Sequence, residues 1–192
     1  MVCRKLGLRG TATDGVLTAR RKDECRAALE QAGLASARYA PAETEETGYP
    51  VILKPPSGAD RLLSYVVGRA TEAAACCQGM LTGLDAVPSQ WHEQFRRGIL
   101  VEEYLVGTLV SVELGSREGE FFPFAVSGRF RWAEDEVGEL GSYIPAHLPE
   151  EQAAICVAYA VDVCRAIDLD LGVFHLEIMV TDRGPVLVEG NP

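Results

Sequence analysis

The segment GVFHLEIMVTDRGPVLVEGNP at the end of the chain holds two runs in which apolar and polar positions alternate with a period of two, the pattern of half-buried strands. Between them Asp182, Arg183 and Gly184 supply a three-residue loop with glycine at the left-handed position, which predicts a hairpin with Thr181 facing Pro185. In that register Glu177 lies across from Glu189, and His175 across from Asn191. Phe174, Leu176, Ile178, Val186 and Val188 then turn to the opposite face, toward a core.

Upstream, residues from about Arg20 to Ala32 read as a helix, with Thr18 as the N-cap and Gly33 as the stop. Ala37 to Ala40 reads as a short extended piece. YPVILK reads as a buried strand ending at Pro55-Pro56, with LLSYVV as its partner across the loop PPSGADR. Thr71 to Leu81 is an alanine-rich helix, and a further helix is expected near Trp91 to Arg96. From Ile99 three strands are expected in ILVEEYL, LVSVELGSR and EFFPFAVSG. Arg129 to Leu148 then reads as a long irregular loop, followed by a helix from Glu150 to about Ile167. No repeat or low-complexity tract interrupts the pattern. The change from helical to β-rich sequence predicts a boundary at residues 98–99, with an N-terminal lobe 1–98 and a C-terminal lobe 99–192.

Composition narrows the class. The chain has 192 residues, 47% hydrophobic and 24% charged, enough to bury a core. No apolar run reaches membrane-spanning length and the N-terminus lacks a secretory pattern, so the expected setting is the cytoplasm, with no membrane partner. Six cysteines without a CxxC pair argue against a structural metal or a disulfide scaffold. A net charge of −10 argues against a nucleic-acid partner. An anionic small molecule would need the few cations gathered at its site.

Several residues carry candidate chemistry. Like charges directly opposed on a sheet destabilise it, so Glu177 and Glu189 call for a cation between them, and Asn191 adds a neutral oxygen. Oxygen-only ligands suit Mg2+, with Mn2+ as an alternative. Lys22 and Arg26 share one face of a helix near its start, where anions are favoured, though taken alone the pair reads first as a solvated basic face. Lys54 ends an apolar strand just before a turn, from which its ammonium can reach a phosphate or simply extend into water. The loop carrying Ser57 and Gly58 has one glycine and matches no P-loop. Glu102 and Glu103 are adjacent on a strand, so they face opposite ways and read as a half-exposed rim. His175 shares the face of Glu177.

In this order RKDECRAALEQAGL, YPVILKPPSG, ILVEEYLVGTLVSVEL, ELGSYIPAHLP and GVFHLEIMVTDRGPVLVEGNP resemble the ATP-grasp superfamily, in particular its carboxylate-amine ligase branch, with likeness to L-amino-acid ligases and biotin-carboxylase-like enzymes. The resemblance implies an α+β fold of two lobes that clasp ATP, with mainly antiparallel sheets and packed helices. It implies that Lys22 and Lys54, with Arg26, Ser57 and Gly58, hold phosphates, and that residues 55–61 form a lid. Glu102, Glu103, Tyr104 and Leu105 would form a hinge whose main chain reads adenine. Glu177, Glu189 and Asn191 would hold Mg2+, and His175 and Arg131 would serve catalysis. The loop bearing Glu139, Tyr143 and His147 would shape a substrate pocket, and Arg129 with Arg131 would meet an anionic intermediate. A carboxylic acid and an amine, amino acids among them, would be joined through an acyl phosphate.

The lid has Asp60, Arg61 and Leu62 where small residues are usual, Leu109 stands where a ribose-binding Glu is common, and a catalytic Arg expected beyond Pro192 is absent. The resemblance therefore also implies a fragment, whose missing parts lie in further domains or a partner chain. A non-catalytic nucleotide-binding module and an ATP-dependent phosphotransferase are the rival readings.

Overall fold

The computed structural model describes residues 2–42, 48–57, 63–89, 92, 97–132 and 135–192, with main chain only for residues 2, 4, 131, 132 and 135–139. In chain order the elements are α1 (Val2–Leu6), α2 (Thr13–Arg20), α3 (Lys22–Gln31), β1 (Tyr39–Pro41), β2 (Val51–Lys54), β3 (Tyr65–Val67), α4 (Ala70–Gly83), a 3-10 turn (Leu84–Ala86), β4 (Leu100–Glu103), β5 (Thr108–Arg117), β6 (Glu120–Trp132), β7 (Asp135–Tyr143), α5 (Glu150–Ala166), β8 (Gly172–Thr181) and β9 (Gly184–Asn191). The fold is α+β, with two antiparallel sheets.

Two compact units divide the chain. The first comprises Met1–Ala19, Ala27–Ser36 and Val106–Pro192; the second comprises Arg20–Arg26 and Ala37–Leu105. The boundary expected at residues 98–99 thus falls inside the second unit. The reason is β4, which pairs with β1 on one side and β2 on the other instead of joining the strands that follow it in sequence.

The second unit is built on the four-stranded sheet β1-β4-β2-β3. Val51, Leu53, Val67 and Val101 project from one face and bury against Met80 of α4, with Cys76, Cys77 and Tyr65 packed around them. Alternation sends Ile52 and Lys54 to the other face. Glu102 lies directly across from Ile52, so it joins Lys54 there as a diagonal neighbour.

The first unit carries the five-stranded sheet β7-β6-β5-β8-β9. Val110, Val112, Leu114, Phe174, Leu176, Ile178 and Leu187 are buried, as are Cys156, Tyr159, Ala160, Val163 and Cys164 of α5, the helix that packs on this sheet. Burial pushes the Cys164 thiol up to about 12.

Local structure departs from the sequence pattern at four points. The helix expected from Arg20 is interrupted at Arg21, so Thr18 sits inside α2 instead of capping α3; Gly33 does follow the helix, at φ +69. The long loop expected from Arg129 to Leu148 contains the end of β6 and an edge strand, β7, in which Val137 is the one β-branched residue and Gly138 and Gly141 weaken the strand pattern. At the hairpin Thr181 pairs with Gly184, not Pro185, leaving two residues in the turn. A bulge between Glu177 and Ile178 in the register then absorbs one residue of β9, Val188, and restores the expected pairing beyond it. Consequently Leu187, opposite Ile178, fills the core position expected of Val188, while Val186 lies opposite Met179 on the other face. The Leu187 N–H donates to the Tyr159 hydroxyl at 2.9 Å, and that hydroxyl donates to the Ala35 carbonyl at 2.6 Å. The core helix thereby satisfies a buried amide beside the bulge. Of the helix expected near Trp91 to Arg96, all but His92 lies outside the described residues.

Candidate functional site

In the second unit, α3 and β4 bring three ionic side chains together around Glu102. Lys54 Nζ is 2.5 Å from Glu102 Oε2, and Arg26 Nε is 3.4 Å from Oε1. Arg26, Lys54 and Glu102 are 1%, 7% and 3% exposed. Burial lowers the Lys54 pKa against the pull of Glu102. For Glu102, burial raises the pKa, but Arg26 and Lys54 overcome it and hold the carboxyl below its usual range. The reading of Glu102 as a half-exposed rim residue is therefore corrected: it is the buried anion between two cations. The local pattern missed this because Arg26 and Glu102 lie far apart in sequence.

The other nucleotide candidates of this unit lie around that cluster. The Lys22 N–H donates to the Pro56 carbonyl at 2.8 Å, tying the start of α3 to the turn after Lys54, where Ser57 is buried. Gly58 and the remainder of the expected lid, residues 58–61, lie outside the described residues. Glu103 ends β4 and its carboxylate takes Arg38 at 3.4 Å, while the Tyr104 N–H donates to Pro50 at 3.4 Å. Leu105 follows, half-buried and past the ladder.

In the first unit, the sheet face turned away from the buried apolar side chains gathers Ser111 and Glu113 of β5, Arg129 of β6 and His175 and Glu177 of β8. Glu113 is directly opposite His175, and Ser111 opposite Glu177. Glu113 Oε1 lies 2.6 Å from His175 Nδ1. The Arg129 guanidinium donates from NH2 to Ser111 Oγ at 2.8 Å and to Glu177 Oε1 at 3.1 Å, and the same nitrogen lies 3.1 Å from His175 Nε2. The hydrogen bond with Glu177 raises the His175 pKa, burial opposes it, and Glu113 adds to the rise. Across the hairpin Glu177 faces Glu189, and His175 faces Asn191, the pairing expected, though reached through a different turn and a bulge.

Among the described residues no three His, Cys, Asp or Glu side chains gather around one metal position. Two opposed carboxylates and an amide form the oxygen donor set of an Mg2+ ion that completes its shell with water and phosphate, so Glu177, Glu189 and Asn191 fit such a cation.

The Arg131 side chain lies outside those described, and its main chain pairs with Glu139 beyond a register shift. Arg129 is the arginine that reaches His175. Ser111 and Glu113 were missed as partners, although alternation in LVSVELGSR separates them from Val110, Val112 and Leu114. What the pattern lacked was the neighbour of that strand. The Tyr143 ring lies tilted against Phe130, with centroids 4.6 Å apart, and against His147, at 4.4 Å. A Cβ at Gly128 would come within 2.3 Å of the Tyr143 ring, so any other residue there would push that ring aside. The Glu139 side chain lies outside the described ones. No helix among the described residues is long and apolar enough to cross a membrane.

Comparison with known proteins gives a consistent picture. A family model described as the ATP-grasp domain matches residues 47–192. Dapdiamide A synthase of Enterobacter agglomerans is 26% identical over 144 residues, covering 73% of this chain and 32% of that protein. Alanine–anticapsin ligase of Bacillus amyloliquefaciens is 25% identical over 99% of this chain and 44% of its own length. Among solved structures, L-amino acid ligase from Bacillus licheniformis superposes with a TM-score of 0.76 at 20% identity, over 98% of this chain and 44% of that one. The chain thus spans less than half the length of each of these proteins.

Proposed function

The chain belongs to the ATP-grasp family, and from that premise we propose that it works as an ATP-dependent carbon–nitrogen ligase joining a small-molecule carboxylic acid to an amine. The substrate carboxylate attacks the γ-phosphorus of ATP and ADP leaves; the amine then attacks the acyl carbon and phosphate leaves. The observation that carries the reading is the pair Glu177 and Glu189, directly opposed with Asn191 two residues on. Arg129 meets Glu177 at 3.1 Å, and a divalent cation would further offset the like charges that face each other across the hairpin. The names of the relatives support amino acids as substrates, since one is a ligase of alanine and anticapsin and another an L-amino acid ligase.

Roles follow residue by residue. Lys22, Arg26, Lys54, Ser57 and Gly58 bind phosphate oxygens, and the main chain from Glu102 through Glu103 and Tyr104 to Leu105 binds adenine. Glu177, Glu189 and Asn191 hold Mg2+ or Mn2+, which supplies positive charge to the phosphates. His175 and Arg131 serve the reacting carboxyl group, where fixed donors lower the barrier as charge builds. Arg129 and Glu113 hold the His175 ring between them. A cytoplasmic setting agrees with six unpaired cysteines.

The test has two stages. Mg-ATP at millimolar concentration should raise the melting temperature, because a ligand that binds only the native state stabilises it by mass action. ADP and phosphate should then appear only when an acid and an amine, drawn from pairs of amino acids, are both present. A folded protein with no thermal shift would defeat the reading at its root. Release with the acid alone would point to a phosphotransferase, and binding without turnover under any pair to a nucleotide-binding module.

A further inference from the structure

Lys54 is an unusual place to keep a charge. It ends β2 almost fully buried, and burial by itself disfavours an ammonium. Glu102 of β4 faces it, as do Arg26, Lys22 and Cys25 of α3, and among these groups Glu102 is the anion. Arg26 and Lys22 both act against a positive charge on Lys54, whereas Glu102 sustains it through contact at 2.5 Å. The same carboxylate receives Arg26 NH2 at 3.4 Å, so it holds cations arriving from two different elements.

We propose that the Glu102 side chain is a positioning residue for phosphate binding, keeping the Lys54 ammonium charged and aimed so that it can grip the polyphosphate of the nucleotide. The proposal rests on the nucleotide-binding reading given above and adds to it a role for the Glu102 carboxylate, distinct from any contact made by its main chain. Without that carboxylate Lys54 is left buried beside two other cations, and a buried lysine so placed releases its proton readily. A neutral amine makes a weaker hydrogen bond to phosphate than an ammonium does, and losing the charge assistance lowers affinity by about tenfold.

The test compares wild type, Glu102→Gln and Glu102→Asp by calorimetric titration with two probes, Mg-ATP and inorganic tripolyphosphate. Glu102→Gln should lose about tenfold in affinity for both probes near pH 8, and its deficit relative to wild type should shrink near pH 6 as Lys54 regains its proton. Glu102→Asp should recover much of the loss. A purely structural role would produce neither the pH-dependent gap nor the rescue, so a Gln variant equal to wild type, or weakened equally at both pH values, overturns the proposal. Should Glu102→Gln fail to fold, wild type decides: Mg-ATP affinity that holds steady between about pH 7 and pH 9 supports a protected ammonium, and a fall of about tenfold across that range overturns it. Wild type that binds neither probe removes the nucleotide reading and this proposal together, whereas failure confined to the variants removes this proposal alone.

Discussion

In the four-stranded sheet the ionic groups have been taken out of water, with Arg26, Lys54 and Glu102 all under 8% exposed, whereas in the five-stranded sheet the side chains of Arg129, Glu177, His175 and Glu113 keep between 14% and 32% of their surface. Both clusters pair cations with carboxylates across strands, but the energetics differ. A fully buried ion pair recovers little more than its own desolvation cost, so it adds little net stability while making the loss of one partner severe. A half-exposed network is screened by water and tolerates rearrangement. The first arrangement suits a fixed electrostatic platform. The second suits a face whose partners can change, as the proposed cation and substrates would require.

Breaking the buried cluster should have the largest effect. Glu102→Gln leaves two buried cations without their anion and should cost about 3–5 kcal/mol in urea unfolding. Replacing all three residues with apolar side chains, as Arg26→Met, Lys54→Met and Glu102→Leu, should recover most of that loss while abolishing Mg-ATP binding. If the triple variant is no more stable than Glu102→Gln, the cluster contributes something beyond charge pairing.

The half-exposed network should respond more gently and with a particular pH dependence. Glu113→Gln removes one carboxylate from His175 and should cost about 1 kcal/mol near pH 6. The sign follows from the raised His175 pKa: stability that comes from the protonated ring is fully present below the ordinary value of 6.5 and fades as pH climbs through the raised folded-state value. Without divalent ions, wild type should therefore lose stability as pH rises above 6.5, and Glu113→Gln should flatten that slope. Melting curves across this window check it; an unchanged slope in the variant would assign the pH dependence to another group.

The smallest effect on the bare protein should come from Glu189→Gln, which relieves one of two directly opposed charges. Its unfolding free energy should stay within about 0.5 kcal/mol of wild type or rise slightly. The thermal shift produced by Mg-ATP should nevertheless shrink. A loss of more than about 1 kcal/mol without metal would make Glu189 a structural hydrogen-bond partner and remove the basis for calling it a ligand.

How much of this was legible in the chain depends on the distance over which each feature is decided. Alternation in GVFHLEIMV was enough to set His175 and Glu177 on the face away from Phe174, Leu176 and Ile178, because side-chain direction in a strand is local and has a period of two; the pairings of Glu177 with Glu189 and His175 with Asn191 were inferred from an expected Thr181–Pro185 register, and the structure reaches them by a different turn. The helix at Glu150, the strand ending at Lys54 and its antiparallel partner were readable for the same reason. The turn was not. A two-residue connection and a compensating bulge at Val188 give the same outer register as a three-residue loop without a bulge, and the Leu187 amide's bond to Tyr159 belongs to packing that alternation does not encode. The strand Asp135–Tyr143 was hidden because its pairing with β6, and not its own propensity, makes it a strand. The assignment of β4 to the smaller sheet, the burial of Glu102 between Arg26 and Lys54, and the meeting of Glu113 with His175 were likewise decided only in the tertiary structure. Each depends on which strand or helix lies beside another, a choice made by the burial of whole apolar faces and not by any one stretch of sequence.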